Sequence, residues 1–232
     1  MKQRQLLVIL AAIVVIAAGA IYYFTRVGRE QPVLPEVASE TPAALPRAAA
    51  ATQVTDDLMT PGPLGEMALG DPKAPVTVIE YASMTCSHCQ RFHSEVFKPF
   101  KEKYIDTGKV YFIFREFPLD PLALAATALA RCAPKERYFP IVDLLFDTQR
   151  KWAFVDDPKT ALFNLVKQAG FTKESFEACL TDPKISQGIE WVHSRASEKF
   201  GVDSTPTFFF NGKKQSGELS LEEIDKLVAA SL

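Results

Sequence analysis

Val76-Thr77-Val78-Ile79-Glu80-Tyr81-Ala82-Ser83-Met84-Thr85-Cys86-Ser87-His88-Cys89-Gln90-Arg91-Phe92 changes its periodicity at the first cysteine. Val76 to Tyr81 is β-branched and aromatic apart from Glu80, which predicts a buried strand. Beyond Cys89, Phe92, Val96 and Phe100 recur every four residues and predict a helix with one apolar face. Cys86 therefore falls at a helix N-terminus, where unpaired N–H groups and the positive end of the dipole favour a thiolate, and a protonated His88 adds positive charge two residues away. A stabilised thiolate is a good leaving group, so a Cys86–Cys89 disulfide is expected to be easily attacked and oxidising. Cys86, Cys89 and His93 have the spacing of soft zinc ligands, but no second Cys-x-x-Cys or Cys/His pair completes a set, so no metal is expected. A purely structural bridge is disfavoured, because so short a loop stores strain and stabilises little.

The compartment is written in the first residues. Lys2 and Arg4 precede an uninterrupted apolar run from Leu6 to Phe24, with Arg26 and Arg29 after it. A helix of that length reaches roughly 28 Å, close to the hydrocarbon thickness of a bilayer. Ala18-Gly19-Ala20 also has the form of a signal-peptide cleavage site. Residues 1–29 are thus read as a signal or membrane-anchor segment, an uncleaved anchor being slightly favoured over a cleaved signal. Either reading exports the remainder, into a compartment where disulfides persist. Residues 30–65, with Pro32, Pro35, Pro42, Pro46, Pro61 and Pro63 and few large apolar groups, read as a Pro/Ala-rich linker. Residues 66–232 suit one globular domain. The formal net charge of −2 gives no argument for nucleic acid, and Lys98, Lys101 and Lys103 read as a solvated helical face.

Val110 to Phe114 predicts a second buried strand, completing a β-α-β unit with the first strand and the cysteine helix. From Pro121 to about Phe200 the periodicity is helical, with candidate helices at 122–133, 141–146, 161–169, 173–180 and 185–200. Extended sequence returns at Thr205 to Phe210, Asn211-Gly212 predicts a hairpin turn onto Lys213 to Ser216, and 221–230 closes as a helix. The fold class is α/β: a four-stranded mixed sheet with a helical block, about 121–200, inserted between its halves.

This order, with Gly70-Asp71-Pro72-Lys73-Ala74-Pro75 ahead of the strand, Cys86-Ser87-His88-Cys89 after it and Gly201-Val202-Asp203-Ser204-Thr205-Pro206-Thr207-Phe208 beyond the helices, resembles the DsbA family of exported thiol-disulfide oxidoreductases, in the thioredoxin fold. The resemblance runs from about Leu69 to the C-terminus. It implies that Cys86 is the exposed nucleophile, Cys89 the resolving thiol, Pro206 a cis-proline facing the disulfide, and Glu80 a buried acid that shuttles a proton for Cys89. Ser87 and Thr205, with Pro206, would contact substrate. Ser87 stands where the archetypal member has proline, so the redox potential does not carry over. Cys132 and Cys179 have only each other left as partners, and a structural disulfide is expected, the other reading being two buried free thiols. His93 is expected to cap or pack, His193 to lie on the surface or in a groove, Trp152 and Trp191 to belong to the core, and Phe208 to Phe210 to fill the sheet. The function expected is a monomeric enzyme, without cofactor, that introduces disulfides into exported client proteins and is reoxidised by a DsbB-like membrane partner. The alternatives are an isomerase or reductase and a copper-binding chaperone.

Overall fold

The computed structural model describes residues 56–232. The expected signal or anchor segment and most of the expected linker lie outside the described residues. Within them no helix is long and apolar enough to cross a membrane.

A mixed sheet forms the centre. Its strands are β1 (Met67–Leu69), β2 (Val76–Ala82), β3 (Val110–Glu116), β4 (Thr207–Phe210) and β5 (Lys213–Ser216), in the order β1-β3-β2-β4-β5. β2 and β3 are parallel, with Val76 beside Val110 and Glu80 beside Phe114, and β4 runs antiparallel to β2, with Phe208 beside Glu80. The sheet has five strands where the sequence predicts four. β1 adds to the outer edge of β3, and three residues are too few for a period-two pattern to be recognised. Asn211 (φ 44°) and Gly212 (φ 82°) take the left-handed conformations that a tight hairpin turn demands.

Period-two alternation divides the sheet between two cores. Val78, Glu80 and Ala82, with Phe112, Phe114, Phe208 and Phe210, face the cysteine helix and the helical block. Ile79, Tyr81, Ile113 and Phe209 face the opposite side, where Val192, Ala196 and Phe200 of a long helix cover them. Removing each of these large side chains from water is worth about 1.5–3 kcal/mol.

The cysteine helix, α1, begins with Ser87–Arg91 and continues through Phe92–Phe97, Lys98–Phe100 and Lys101–Ile105, the second and fourth segments being π-helical. Pro99 lies in its interior. A proline there removes a backbone donor and crowds the carbonyl four residues back, and wider π turns on either side accommodate it. The helical block comprises α2 (Pro121–Cys132), α3 (Tyr138–Asp147), α4 (Gln149–Trp152), α5 (Pro158–Lys167), α6 (Lys173–Leu180) and α7 (Pro183–Phe200). α2, α5 and α7 each start on an Asp-Pro pair, in which the aspartate accepts a backbone N–H as N-cap and proline occupies the first turn. α8 (Leu221–Ala229) follows a Ser220/Glu223 capping box.

Residues 56–65, read from sequence as the end of a linker, pack on this domain. Leu58 is buried in the second core, and Arg195 pairs with Asp57 at 3.1 Å. Leu64 sits so close to Gly188 of α7 that a Cβ there would lie 2.4 Å from its Cγ. Prolines and alanines concealed this packing, because the burial depends on two isolated leucines with no periodicity. Trp152 is fully buried, its indole N–H donating to the Leu145 carbonyl. Trp191, expected in the core, is 38 % exposed, and its ring lies under the Arg195 guanidinium instead.

Candidate active site

Cys86 caps the N-terminus of α1. Its sulfur accepts the Cys89 backbone N–H at 3.4 Å and, as a thiol, lies 3.2 Å from the Thr205 carbonyl. The Thr205–Pro206 peptide bond is cis. It opens β4, which pairs with β2, and this brings the proline loop against the cysteine loop although the two are separated by the whole helical block.

Cys86 and Cys89 are both free thiols and both buried, Cys86 8 % exposed and Cys89 fully enclosed. The nucleophile expected to be exposed therefore sits in a depression, because the Thr205 loop closes over it. Their environments oppose one another. The Cys89 thiol, hydrogen bonded to the Cys86 sulfur, lowers the Cys86 pKa most; burial resists, and the Thr205 side chain with the backbone N–H groups of Cys89 and His88 lowers it further, to about 5. Burial pushes Cys89 well above the ordinary thiol range, and the proximity of Cys86 and the charge of Glu80 push the same way. His88 thus acts on Cys86 through its backbone N–H. Its imidazole is engaged elsewhere: Nδ1 lies 3.1 Å from a Glu218 carboxylate oxygen and 2.7 Å from Arg91 Nη2, and Arg91 itself pairs with Glu218 at 2.6 Å.

Two residues that the sequence did not single out hold this geometry. Gln149 of α4, 2 % exposed, donates to the carbonyls of Met84 and Cys86 at 2.8 and 3.0 Å and ties the helical block to the cysteine loop. Glu218, before α8, clamps the His88/Arg91 side of α1. A lone glutamine and a loop glutamate carry no sequence signal, since their roles depend on distant chain segments meeting.

Glu80 points inward, fully buried, with both carboxylate oxygens near His93 Nε2 at 3.0 and 3.2 Å. His93 is packed in the core, its ring stacked on Phe146 at 4.4 Å. The Cys86, Cys89 and His93 ligand set is therefore not assembled, and among the described residues no group of three His, Cys, Asp or Glu side chains is placed to hold a metal ion. His193 stacks on Phe117 and lines a cleft with Leu119 and Glu190. Ser87 lies on the other flank, where it lines a cleft of about 500 Å³ with Gln90, Arg91, Gln149, Arg150 and Phe154, the phenylalanine 61 % exposed. The remaining cysteines, Cys132 at the end of α2 and Cys179 in α6, are joined in a disulfide.

Comparison with known proteins gives a consistent picture. The thioredoxin family profile matches residues 64–230. The crystal structure of alpha-DsbA1 from Wolbachia pipientis superposes with a TM-score of 0.68 at 37 % identity, covering 76 % of this chain and 97 % of that one. A Rickettsia typhi protein whose name describes a protein-disulfide oxidoreductase is 32 % identical over 168 residues, 72 % of this chain and 62 % of its own length. The chain thus spans about three fifths of that relative. Oxidised BdbD from Bacillus subtilis shares the fold, with a TM-score of 0.61 at 22 % identity over 72 % of this chain and 92 % of that one.

Proposed function

Because the chain belongs to the thioredoxin family and, within it, to the DsbA group, we propose that it is an exported thiol-disulfide oxidoreductase that oxidises client proteins through Cys86 and Cys89. The observation that carries this reading is the opposition between the two thiols. Cys89 is fully enclosed and Cys86 keeps the only access, so an incoming thiolate meets the Cys86 sulfur; a Cys86 held near pKa 5 is then a stable leaving thiolate when the mixed disulfide is resolved. Attack breaks the Cys86–Cys89 bond and forms a mixed disulfide at Cys86. A second client thiolate then attacks the client sulfur, releasing Cys86 as thiolate and leaving the client oxidised by two electrons. The cis-proline loop holds the Thr205 backbone beside Cys86, where an extended client segment would pair with it once the Cys86 thiol no longer occupies the Thr205 carbonyl. The cleft beside Ser87, with Arg91, Arg150 and exposed Phe154, offers it apolar and polar contacts.

The apolar run from Leu6 to Phe24 supports export, with the domain on the outer side of the inner membrane and tethered there if the segment is uncleaved. In such a setting a DsbB-like membrane protein would reoxidise the pair. The test is transfer. Oxidised protein mixed with a reduced, unfolded, multi-cysteine client should be consumed as the client gains disulfides, and Cys89→Ala given a disulfide-bonded client should accumulate client-linked mixed disulfides. Failure to oxidise the client, with reactivation only of a scrambled one, would replace the oxidase reading by an isomerase.

A further inference from the structure

Two clefts border the cysteine loop, and they carry opposite charge. The one beside Ser87 contains Arg91 and Arg150 and no carboxylate. Arg91 is neutralised by Glu218 at 2.6 Å, whereas Arg150, exposed on α4, enters no ion pair among the described residues. Phe154 of the same cleft and its neighbour Val155 are exposed, and an aromatic ring beside an arginine is the combination enriched in recognition surfaces. The cleft is held in place relative to the nucleophile. Gln149, which also lines it, is buried and donates to the Met84 and Cys86 carbonyls, and the buried Trp152 donates to the Leu145 carbonyl. The second cleft contains Asp120 and Glu190 with Leu119, Leu124 and His193. It borders the residue before Cys86, because the Thr85 hydroxyl donates to Asp120 and the Leu119 N–H donates to the Ser83 hydroxyl. Cys86 thus stands between Thr85, tied to the carboxylate cleft, and Ser87, which lines the guanidinium cleft.

We infer that this rim selects clients by the order of charge around their cysteine: an acidic residue with an aromatic neighbour on the side that enters the Arg150–Phe154 cleft, and a basic residue on the side that faces Asp120 and Glu190. The inference rests on the client-oxidation reading of the cysteine pair and names the class of client. Charge complementarity carries it. A client carboxylate at Arg150 meets a guanidinium with no internal partner to surrender, and the client's ring covers the exposed Phe154. The same carboxylate in the other cleft meets two like charges, which acts against the reversed order. The formal net charge of −2 gives no such sidedness, since it bears equally on both orders. An extended client paired with the Thr205 backbone runs in one direction over Cys86, so a single order of charges satisfies both clefts.

The test uses the full oxidised chain and two cysteine peptides of identical composition. One carries an Asp-Phe pair before the cysteine and a lysine after it, and the other has the reverse order. Loss of the Cys86–Cys89 disulfide is followed with each peptide at low ionic strength. Each rate is divided by the same peptide's rate with oxidised glutathione, which removes differences in peptide thiol reactivity. One order should react on the order of fivefold faster, as an exposed ion pair allows, and about 0.5 M salt should level the two. In Arg150→Glu the preference should vanish, because both clefts are then acidic. Equal normalised rates in the wild type, a preference that persists in high salt, or the same preference in Arg150→Glu would each overturn the inference. Equal rates, with the wild type but not Arg150→Glu sedimenting with phosphatidylglycerol vesicles, assign the cleft to an anionic membrane surface and overturn it likewise. If neither peptide reduces the pair while dithiothreitol does, the client-oxidation reading falls and the inference with it; if both react equally, the inference alone falls.

Discussion

Two cysteine pairs occupy one domain, and helix geometry separates their chemistry. Cys86 stands ahead of the first turn of α1, its sulfur meeting backbone N–H groups and the thiol of Cys89. Cys132 stands in the last turn of α2, where the helix presents carbonyls, and the Cys179 sulfur lies 3.2 Å from the Ala128 carbonyl. The positive end of a helix stabilises a thiolate and the carbonyl end opposes one. The same side chain is thus a leaving group in one place and a staple in the other. Intrinsic thiol chemistry is identical; what differs is what each sulfur faces, the Cys89 thiol and backbone N–H groups at Cys86 against helix carbonyls at Cys132 and Cys179.

The sharpest way to break this contrast is to remove one pair at a time. Cys86→Ala should abolish oxidation of a reduced client, whereas Cys132→Ala with Cys179→Ala should leave the rate at Cys86 within about twofold, since distant independent sites behave additively. The stability consequences should be reversed. The Cys132–Cys179 bridge closes a loop with a sequence separation of 47, and its loss should cost about 4 kcal/mol by the chain-entropy account, read as a lower denaturant midpoint. Comparable loss of client oxidation in both variants would erase the distinction.

A smaller effect is linked to pH. The Cys86 pKa is about 5 in the folded, reduced protein, against an ordinary value of 9.0 when unfolded. Between those values the unfolded chain binds more protons, so stability of the reduced protein should rise with pH from 5 toward 9 and be lost as pH falls back through 5. At pH 7 the gain is about 3 kcal/mol. Cys89, whose pKa is raised, acts in the opposite direction above its unfolded value, which closes the window at the alkaline end. The oxidised protein has no titrating thiols at this site and should show no such rise; parallel pH profiles for the two forms would refute the assignment. The smallest predicted effect is at Gln149→Leu, which leaves the carbonyls of Met84 and Cys86 without that buried donor. It should destabilise by about 1–3 kcal/mol and raise the midpoint of Cys86 titration, whereas a loss of stability with no change at Cys86 would make Gln149 a packing residue only.

These outcomes bear on what a linear sequence can disclose. β2, the cysteine helix and the strand after Pro206 were legible because each carries a strong local pattern: β-branched runs, a four-residue apolar repeat, a turn on Asn211-Gly212. The Asp-Pro starts of α2, α5 and α7 lie within three residues of the helix boundaries read from periodicity. β1 was hidden by its shortness, α4 by its single turn, and the packing of Leu58 and Leu64 by the prolines and alanines around them. At the site, the two thiols and the helix N-terminus that favours the Cys86 thiolate could be read from sequence, but the larger contribution of the Cys89 thiol and the burial of Cys89 could not. His88 reads as a nearby charge, and its ring is taken up by its helix neighbour Arg91 and by Glu218, whose approach depends on the far end of the chain. The Gln149 contacts and the stacking of Phe146 on His93 are likewise tertiary facts, created when the helical block closes over α1.

The central claim is that Cys86 is ionised, and Cys89 protonated, across the neutral range. It is tested most directly by titrating the ultraviolet thiolate absorbance of the reduced protein, with Cys86→Ala, which should remove the low-midpoint thiolate, as the control for assignment. The account predicts one thiolate appearing with a midpoint near 5 and the second only above the ordinary thiol range. Two thiolates appearing together near the ordinary value would contradict it.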